Sequence, residues 1–265
     1  MVKLIAVDLD GTLLTPQGRV TGETRQAIAE ARAAGVRVVL NTGRPIPEAR
    51  YFAGEAGCDD LISCLGGAAL VHRETGETLR RWDMPEPSGT RALELCLGRD
   101  IELMIFAGEQ ILLDPFSKAS LTRTYPYPAF HDNAVTVEDP LAYVRERGLP
   151  VTKIHGDWNQ PAYPLKELRE LPGVALTASN DRDFELVPAG VDKGRTLALL
   201  SMLYGVPLQD CAAVGDSDND LSMLKAVGTP IAMGNASQAV KEAAARVAPS
   251  NDQEGAAWAI RSCLK

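Results

Sequence analysis

The sequence predicts an α/β protein with a doubly wound, mostly parallel core sheet and an α+β domain inserted into it. Short, nearly continuous apolar segments alternate with helical segments near both ends of the chain, which is the pattern of a parallel sheet covered on both faces. The middle of the chain instead contains extended segments paired around turn residues, which is the pattern of antiparallel hairpins. Polar turns directly follow the apolar segments, as they do where a doubly wound sheet binds ligands.

Strands and helices alternate over residues 1–82. A strand is predicted at Lys3–Asp8, and Thr21 is expected to cap the helix that follows it. The β-branched segment Val36–Leu40 predicts a second strand, and Leu61–Leu65 predicts a third. This succession of strand, helix and strand is that of a Rossmann-like core.

The same pattern returns over residues 188–265. Cys211–Val214 is predicted to be a strand, and an aspartate-rich turn and a helix follow it. Pro230–Met233 predicts another strand, and two helices are predicted after it at Ser237–Ala245 and Gly255–Leu264. We therefore expect this segment to form one domain together with residues 1–82.

The middle segment, residues 83–187, has a different texture and is predicted to be the inserted α+β domain. Its extended segments pair in two predicted hairpins, and proline-containing turns bracket it at both ends. The hairpins are predicted at Ile101–Phe106 with Gln110–Asp114 and at Ala175–Ser179 with Phe184–Val187, and the helices at Gly89–Leu97, Asp139–Glu146 and Tyr163–Leu171.

Composition excludes several classes of function. A net charge of −8 and a pI near 5.0 argue against a protein that coats nucleic acid. The five cysteines are odd in number, scattered and never spaced as Cys-x-x-Cys, so neither a disulfide framework nor a zinc site is indicated. We recognise no leader and no apolar run of membrane-spanning length, so we expect a cytoplasmic protein without a membrane partner.

Two carboxylates one residue apart, Asp8 and Asp10, come at the end of the first predicted strand. On an extended chain they point to the same side, and like charges held so close repel unless a cation or a proton lies between them. This pair therefore predicts a metal site. Thr42-Gly43-Arg44 follows the second strand, Asp216 to Asp220 follow a later one, and Lys193 begins a helix. Because the loops after parallel strands converge at one edge of the sheet, we expect these groups to meet there.

These motifs, in this order, resemble those of the haloacid dehalogenase superfamily, and in particular the Cof-type sugar phosphatases with a large inserted cap. The resemblance extends over nearly the whole chain. One departure is Leu65-Gly66-Gly67-Ala68, which stands where many relatives have an Asn-Gly-Ala turn. The four motifs are Asp8-Leu9-Asp10-Gly11-Thr12-Leu13-Leu14, Asn41-Thr42-Gly43-Arg44, Gly190-Val191-Asp192-Lys193-Gly194 and Gly215-Asp216-Ser217-Asp218-Asn219-Asp220-Leu221-Ser222-Met223-Leu224.

The resemblance implies a small-molecule phosphate monoester as the substrate and Mg²⁺ as the cofactor. The ion would be held by the side chains of Asp8 and Asp216 and by the backbone carbonyl of Asp10. Asp8 would attack phosphorus and form an aspartyl-phosphate, while Asp10 would protonate the departing alcohol and then take a proton from water. Lys193 would place a fixed cation beside Asp8 and the phosphoryl oxygens.

The remaining motif residues are implied to bind or to organise the phosphoryl group. The Thr42 hydroxyl and the Gly43 amide would donate hydrogen bonds to it, and Asn219 would contact it, or metal-bound water, at the rim of the site. Asp220 would orient the catalytic lysine from behind. Arg44 follows the second motif and is predicted to bind substrate, although it could as easily pair with a carboxylate of the core.

Two other functions stay open. A phosphomutase of the same superfamily would use the same nucleophile but would need a bisphosphate activator. A phospho-ligand-binding protein without turnover would not need the proton shuttle that Asp10 provides, which argues against it. Whatever the reaction, the inserted cap is expected to select the leaving group, because the motif residues contact only the phosphoryl group. The candidate cap residues for that contact are Tyr125, Tyr127, His131, His155, Trp158 and Arg182.

Overall fold

A computed structural model of the protein describes residues 1–158, 165–177 and 183–264. It confirms the α/β class, with a parallel sheet and with separate sheets that contain antiparallel pairs. In the part of the chain that the structure describes, no helix combines the length and the apolar character needed to cross a membrane.

The chain divides into two compact units. The first, which we call the discontinuous unit, consists of Met1–Arg80 and Asp192–Lys265, and the second, the inserted unit, is Arg81–Val191. The sequence-based boundaries lie after residues 82 and 187. The roles assigned to the two units, a catalytic core and a specificity cap, stay predictions.

The first part of the discontinuous unit alternates strands with helices. Thr21 caps the first helix as expected, because its hydroxyl accepts a hydrogen bond from the Thr24 amide at 3.1 Å. The second helix was missed by the sequence-based prediction; it begins after Pro45 and ends at Gly57, which has a positive φ. The elements are β1 (Leu4–Val7), α1 (Gly22–Ala33), β2 (Arg37–Leu40), α2 (Ile46–Ala56), β3 (Leu61–Cys64), β4 (Ala69–His72) and β5 (Thr78–Arg81).

The third predicted strand, β3, forms, but most of its pairing lies outside the parallel sheet. It pairs antiparallel with β4 in a separate sheet of order β3-β4-β5. A single parallel bridge between Asn41 and Ser63 joins it to the residue after β2. The chain reverses directly after β3 because Gly66 and Gly67 adopt φ values of 71° and 97°, which residues with a side chain rarely reach.

The inserted unit is a six-stranded sheet of order β10-β11-β9-β6-β7-β8 with its own hydrophobic core, formed with the helices α3, α6 and α7. Its pairs are antiparallel, except that β7 and β8 are parallel. The tip of the second predicted hairpin lies outside the described residues. The elements are α3 (Ser88–Cys96), β6 (Ile101–Ala107), β7 (Gln110–Leu113), α4 (Pro115–Thr124), α5 (Pro128–His131), β8 (Ala134–Thr136), α6 (Pro140–Arg147), β9 (Val151–Trp158), α7 (Leu165–Arg169), β10 (Val174–Thr177) and β11 (Asp183–Pro188).

The last part of the chain returns to the discontinuous unit and completes its sheet. The helix predicted at Ser237–Ala245 is shorter than expected. The elements are α8 (Lys193–Leu203), β12 (Cys211–Gly215), α9 (Leu221–Ala226), β13 (Thr229–Ala232), α10 (Gln238–Glu242), β14 (Arg246–Val247) and α11 (Gly255–Ser262).

The register of the parallel sheet positions the candidate site. The strand order is β14-β13-β12-β1-β2, and every pair in it is parallel. Val7 at the end of β1 lies opposite Val214 in β12 and Leu40 in β2. The residues that follow these three positions therefore emerge side by side at the carboxyl edge of the sheet.

Candidate active site

Asp8 lies at the centre of the carboxyl edge, directly after the fully buried strand β1. Its amide donates a hydrogen bond to the Val214 carbonyl at 3.0 Å, which continues the pairing with β12 by one residue. The side chain is buried, and its Oδ1 lies 2.6 Å from Lys193 Nζ. The Asp8 carboxylate is therefore held in a fixed orientation in a dry environment.

Asp216 comes from the neighbouring strand and approaches the turn after Asp8. Its Oδ1 accepts a hydrogen bond from the Thr12 hydroxyl at 2.9 Å. Gly11 allows this close approach, because a Cβ at that position would overlap Asp216 Oδ2. Gly11 also has a φ of 75°, so two independent constraints favour glycine there.

Lys193 joins three side chains of the site through its ammonium group. Nζ donates to Asp8 Oδ1 at 2.6 Å, to Asp220 Oδ1 at 2.6 Å and to Asn219 Oδ1 at 3.0 Å. The side chain is only 2% exposed. Burial alone would lower the pKa of Lys193, but the carboxylates of Asp220 and Asp8 raise it far above its usual value. The lysine is therefore a fixed cation, as the predicted role requires.

Asp220 is fully buried, and both of its oxygens are engaged. Oδ1 accepts from Lys193, while Oδ2 accepts from the backbone amides of Asp216 at 2.9 Å and Ser217 at 3.1 Å. Asp220 thus fixes the lysine and the Asp216 loop at the same time. This geometry agrees with an orienting function and leaves Asp220 poorly suited to be a metal ligand.

The carboxylates of Asp8 and Asp216 can hold a metal ion at this edge. One oxygen of each lies within 4.8 Å of the other and of an oxygen of Asp220, although the Asp220 oxygens already accept hydrogen bonds. Burial, followed by the charge of Asp220, raises the pKa of Asp8 well above its usual value, although Lys193 acts against this shift. Burial and Asp220 likewise raise the pKa of Asp216 to about 6. The negative charge thus exceeds what the lysine neutralises, and a hard oxygen-binding cation such as Mg²⁺ fits this donor set.

The second motif lies beside Asp8, in the loop after β2. Thr42 is fully buried; its amide donates to the Ser63 carbonyl at 2.9 Å, and its carbonyl accepts from the Gly66 amide at 3.1 Å. Gly43 lies in the same loop, next to it. The loop is therefore anchored on β3 and on the turn that follows it.

The sequence-based prediction assigned no role in the site to Asn41. It is fully buried, and its Nδ2 donates to the Lys193 carbonyl at 2.9 Å, so it anchors the first residue of α8. Its position as the first residue of the second motif was the available signal. We infer that Asn41 helps to place the lysine, not to bind substrate.

Arg44 and Asp10 contact each other. Arg44 Nε donates to Asp10 Oδ2 at 2.8 Å, and Nη2 donates to Asp10 Oδ1 at 2.6 Å. The Nη1 group of Arg44 donates to Glu48 Oε1 at 2.6 Å. Of the two options that the sequence left open for Arg44, the structure thus shows pairing with carboxylates. The predicted contact with substrate stays a prediction.

Asn235 is a further residue that sequence reasoning missed. It follows β13, and its Nδ2 donates to the Gly11 carbonyl at 2.8 Å and to Asp216 Oδ2 at 3.4 Å. Its Oδ1 accepts from the Asn251 amide at 3.1 Å. The position after a parallel strand, at the edge where the other site residues emerge, could have identified it.

The candidate cap residues fall into two groups within the inserted unit. In the first, His131 Nε2 lies 2.8 Å from the Tyr125 carbonyl, and the rings of Tyr125 and Tyr127 are 4.7 Å apart. In the second, His155 Nδ1 lies 3.6 Å from Glu185 Oε1. Arg182 and the side chain of Trp158 lie outside the described residues, so the prediction for these two stays untested.

Comparison with known proteins identifies close relatives of the whole chain. Residues 5–260 match the sequence profile of a family described as haloacid dehalogenase-like hydrolase. The 5-amino-6-(5-phospho-D-ribitylamino)uracil phosphatase YwtE of Bacillus subtilis is 31% identical, with 99% of this chain and 98% of that protein covered. The HMP-PP phosphatase of Citrobacter koseri is 30% identical, with 89% and 85% covered.

Solved structures share the fold at full length. A haloacid dehalogenase-like hydrolase from B. subtilis superimposes with a TM-score of 0.84 at 25% identity, covering 98% of this chain and 99% of that one. A sugar phosphatase of haloacid dehalogenase subclass IIB gives a TM-score of 0.83 at 22% identity, with 98% of both chains covered. At 22% identity, the similarity to this sugar phosphatase shows a shared fold and nothing more.

Proposed function

Because the chain belongs to the haloacid dehalogenase-like hydrolase family, we propose that it hydrolyses small sugar or related metabolite phosphates through an aspartyl-phosphate on Asp8. The enzyme class predicted from the sequence, a phosphoric monoester hydrolase, is confirmed by the phosphatases among its relatives. The observation that carries the mechanism is the buried carboxylate of Asp8, held 2.6 Å from Lys193 Nζ at the carboxyl edge of the sheet.

Mg²⁺ would be held by the side chains of Asp8 and Asp216 together with the backbone carbonyl of Asp10. Asp220 is not included, since both of its oxygens already accept hydrogen bonds. When bound, the ion supplies positive charge that offsets the repulsion between the carboxylates and an anionic phosphate.

The side chains of this protein perform the two chemical steps. An oxygen of Asp8 bonds to phosphorus while the bond from phosphorus to the leaving oxygen breaks, and Asp10 gives its proton to that oxygen. In the second step water attacks phosphorus, Asp10 takes a proton from it, and the bond between Asp8 and phosphorus breaks. Lys193 stays charged throughout and stabilises the negative charge on the transferring group.

The other motif residues are proposed to bind the phosphoryl group. The Thr42 hydroxyl and the Gly43 amide belong to the loop after β2, next to Asp8, and would donate hydrogen bonds to phosphoryl oxygens. Asn219 already contacts Lys193 and would extend this set at the rim. Asp220 keeps Lys193 in place.

The leaving group is proposed to be a small metabolite selected by the inserted unit. Two relatives are named for a phosphorylated ribitylaminouracil and for HMP-PP, which supports a small organic phosphate as the substrate class. Within the inserted unit, Glu185 supplies an ionised group beside His155. Burial alone would raise the pKa of Glu185, but the charges of Lys153 and His155 hold it below its usual range.

Replacing the proposed nucleophile Asp8 by asparagine, which has the same shape, tests the function. Asp8→Asn should lower phosphate release from 4-nitrophenyl phosphate with Mg²⁺ by roughly 10⁴-fold or more, because an amide is a far weaker nucleophile than a carboxylate. Asp60→Asn, an exposed aspartate after which β3 begins, is the matched control and should keep full activity. Residual activity of Asp8→Asn above a tenth of the wild type would refute the assignment. A requirement for a bisphosphate activator would favour the phosphomutase.

A further inference from the structure

The side chain of Asp10 is held by a guanidinium group that is itself anchored on a buried carboxylate. We propose that Arg44 and Glu48 are positioning residues for the proton transfers of Asp10. This inference rests on the proposed function, because it assigns the partners of the group that moves the proton there.

The contact between Arg44 and Asp10 fixes the orientation of the carboxylate. Both oxygens of Asp10 are engaged, Oδ2 at 2.8 Å from Nε and Oδ1 at 2.6 Å from Nη2. A planar guanidinium that donates to both oxygens of one carboxyl group fixes the plane of that group as well as its position. The Asp10 side chain is 53% exposed, so without this pair it would be free to rotate among several rotamers.

Arg44 is in turn held from the opposite side. Its Nη1 donates at 2.6 Å to Oε1 of Glu48, a residue of the first turn of α2 whose side chain has no exposed surface. A buried carboxylate without its cation is strongly unfavourable, so Arg44 cannot follow Asp10 when Asp10 turns towards the reacting atoms. The Arg44 amide also donates to the Thr42 hydroxyl at 3.1 Å, which fixes the backbone of the arginine.

This arrangement matches the carboxylate that exists between the two chemical steps. When Asp10 gives its proton to the leaving oxygen, it becomes the carboxylate that the Arg44 fork binds. In the second step the same carboxylate takes a proton from the attacking water as the bond between Asp8 and phosphorus breaks. Arg44 therefore holds Asp10 in a single orientation after the first transfer, ready for the second, and Glu48 keeps Arg44 from moving.

A contact between Arg44 and substrate would have a different consequence. The phosphoryl group is common to all substrates, so losing a phosphoryl contact would weaken every substrate by the same factor. Losing the orientation of Asp10 slows the second step for every substrate, but it slows the first step, which kcat/KM reports, only where the leaving group needs a proton. A sugar or polyol phosphate releases an alkoxide and needs that proton, whereas 4-nitrophenyl phosphate releases a stable phenolate and does not.

The test compares kcat/KM for 4-nitrophenyl phosphate with kcat/KM for the best alkyl phosphate of a substrate panel. For Arg44→Gln, we expect the alkyl value to fall roughly 10–100-fold, within the range of general acid catalysis, and the aryl value to fall less than about threefold. Arg44→Lys keeps the charge without the fork and should give an intermediate ratio. Arg25→Gln, which breaks an exposed pair with Glu55 at 3.4 Å, is the matched control and should leave the ratio unchanged.

A double variant shows whether Arg44 acts through Asp10. If it does, Asp10→Asn with Arg44→Gln should be no slower on the alkyl phosphate than Asp10→Asn alone, because residues that act as a unit are not additive. Equal losses for both substrates, or additive losses in the double variant, would overturn the proposal.

Folding is checked separately. Glu48→Gln keeps the shape of the side chain that holds Arg44. It should also lower the ratio of the alkyl to the aryl kcat/KM, so the proposal can be tested even where Arg44→Gln has a lowered Tm. An unchanged ratio in both Glu48→Gln and Arg44→Lys would equally overturn the proposal. An active Asp8→Asn variant would instead overturn the proposed function itself, so the two failures are distinguishable.

Discussion

Replacing Lys193 by methionine should destabilise the metal-free protein strongly. Lys193 Nζ lies 2.6 Å from both Asp8 and Asp220, and its side chain is 2% exposed. Methionine leaves these two buried carboxylates without their cation, and breaking a buried pair costs about 3–5 kcal/mol. In a chain of this length, that loss corresponds to a fall in Tm of roughly 6–20 °C.

The matched control is Lys3→Met, which removes a lysine from the same kind of ion pair at the surface. Lys3 Nζ lies 2.8 Å from Asp210 Oδ2, but the lysine side chain is 59% exposed. Exposed pairs contribute about 0–1 kcal/mol, so the Tm should fall by less than about 4 °C. The two lysines form ion pairs of similar N–O distance, so the difference in Tm between the two variants should come from the burial of the Lys193 pairs.

The assay is thermal unfolding followed by fluorescence, with EDTA present, near neutral pH and again near pH 5. Burial and Asp220 raise the pKa values of Asp8 and Asp216, so at the lower pH protons partly replace the missing cation. The difference between Lys193→Met and the wild type should accordingly shrink there. A Tm within about 2 °C of the wild type near neutral pH would refute the reasoning.

The stabilisation that protonated Asp216 gives the metal-free protein should be lost as the pH rises between about 4 and about 6, because the pKa of Asp216 is raised from 3.8 to about 6 and the folded state therefore binds that proton more tightly. Protons and Mg²⁺ compete for the Asp216 carboxylate, so the increase in Tm caused by Mg²⁺ should be larger near neutral pH than near pH 5. Equal increases at the two pH values would contradict this competition. Gly11→Ala should abolish most activity, because the added Cβ overlaps Asp216 Oδ2, whereas Gly22→Ala meets nothing within 4 Å and should stay active; an active Gly11→Ala would show that the turn adapts. Asn235→Ala should weaken Mg²⁺ binding roughly tenfold, measured by calorimetry, since it loses its contacts with Gly11 and Asp216; unchanged affinity would remove Asn235 from the metal site.

The order of strands and motifs was enough to predict which groups meet. Asp8 and Asp216 follow strands that are neighbours in a parallel sheet, and parallel strands deliver the residues after them to one edge. Lys193 reaches the same edge because it begins the helix that precedes β12. The family identified from these motifs is confirmed by the profile match, while the chemical roles of the individual residues stay predictions.

The partners of long or isolated polar side chains could not be predicted in the same way. Arg44 can reach several carboxylates from its loop, and its choice of Asp10 and Glu48 depends on α2, a helix that the sequence-based prediction missed. Asn235 is a single polar residue after a strand, and its contact with the Gly11 carbonyl depends on how two distant loops pack. Such contacts follow from tertiary packing, which local patterns do not encode.

Mass spectrometry of acid-quenched enzyme tests most directly whether the phosphoryl group is transferred to Asp8. Trypsin should release residues 4–19, which contain Asp8, as one peptide. During turnover of 4-nitrophenyl phosphate with Mg²⁺, this peptide should gain the mass of one phosphoryl group, located on Asp8, and Asp8→Asn should show none. Rapid turnover with no phosphoryl group on this peptide, or with the group on another residue, would contradict the account.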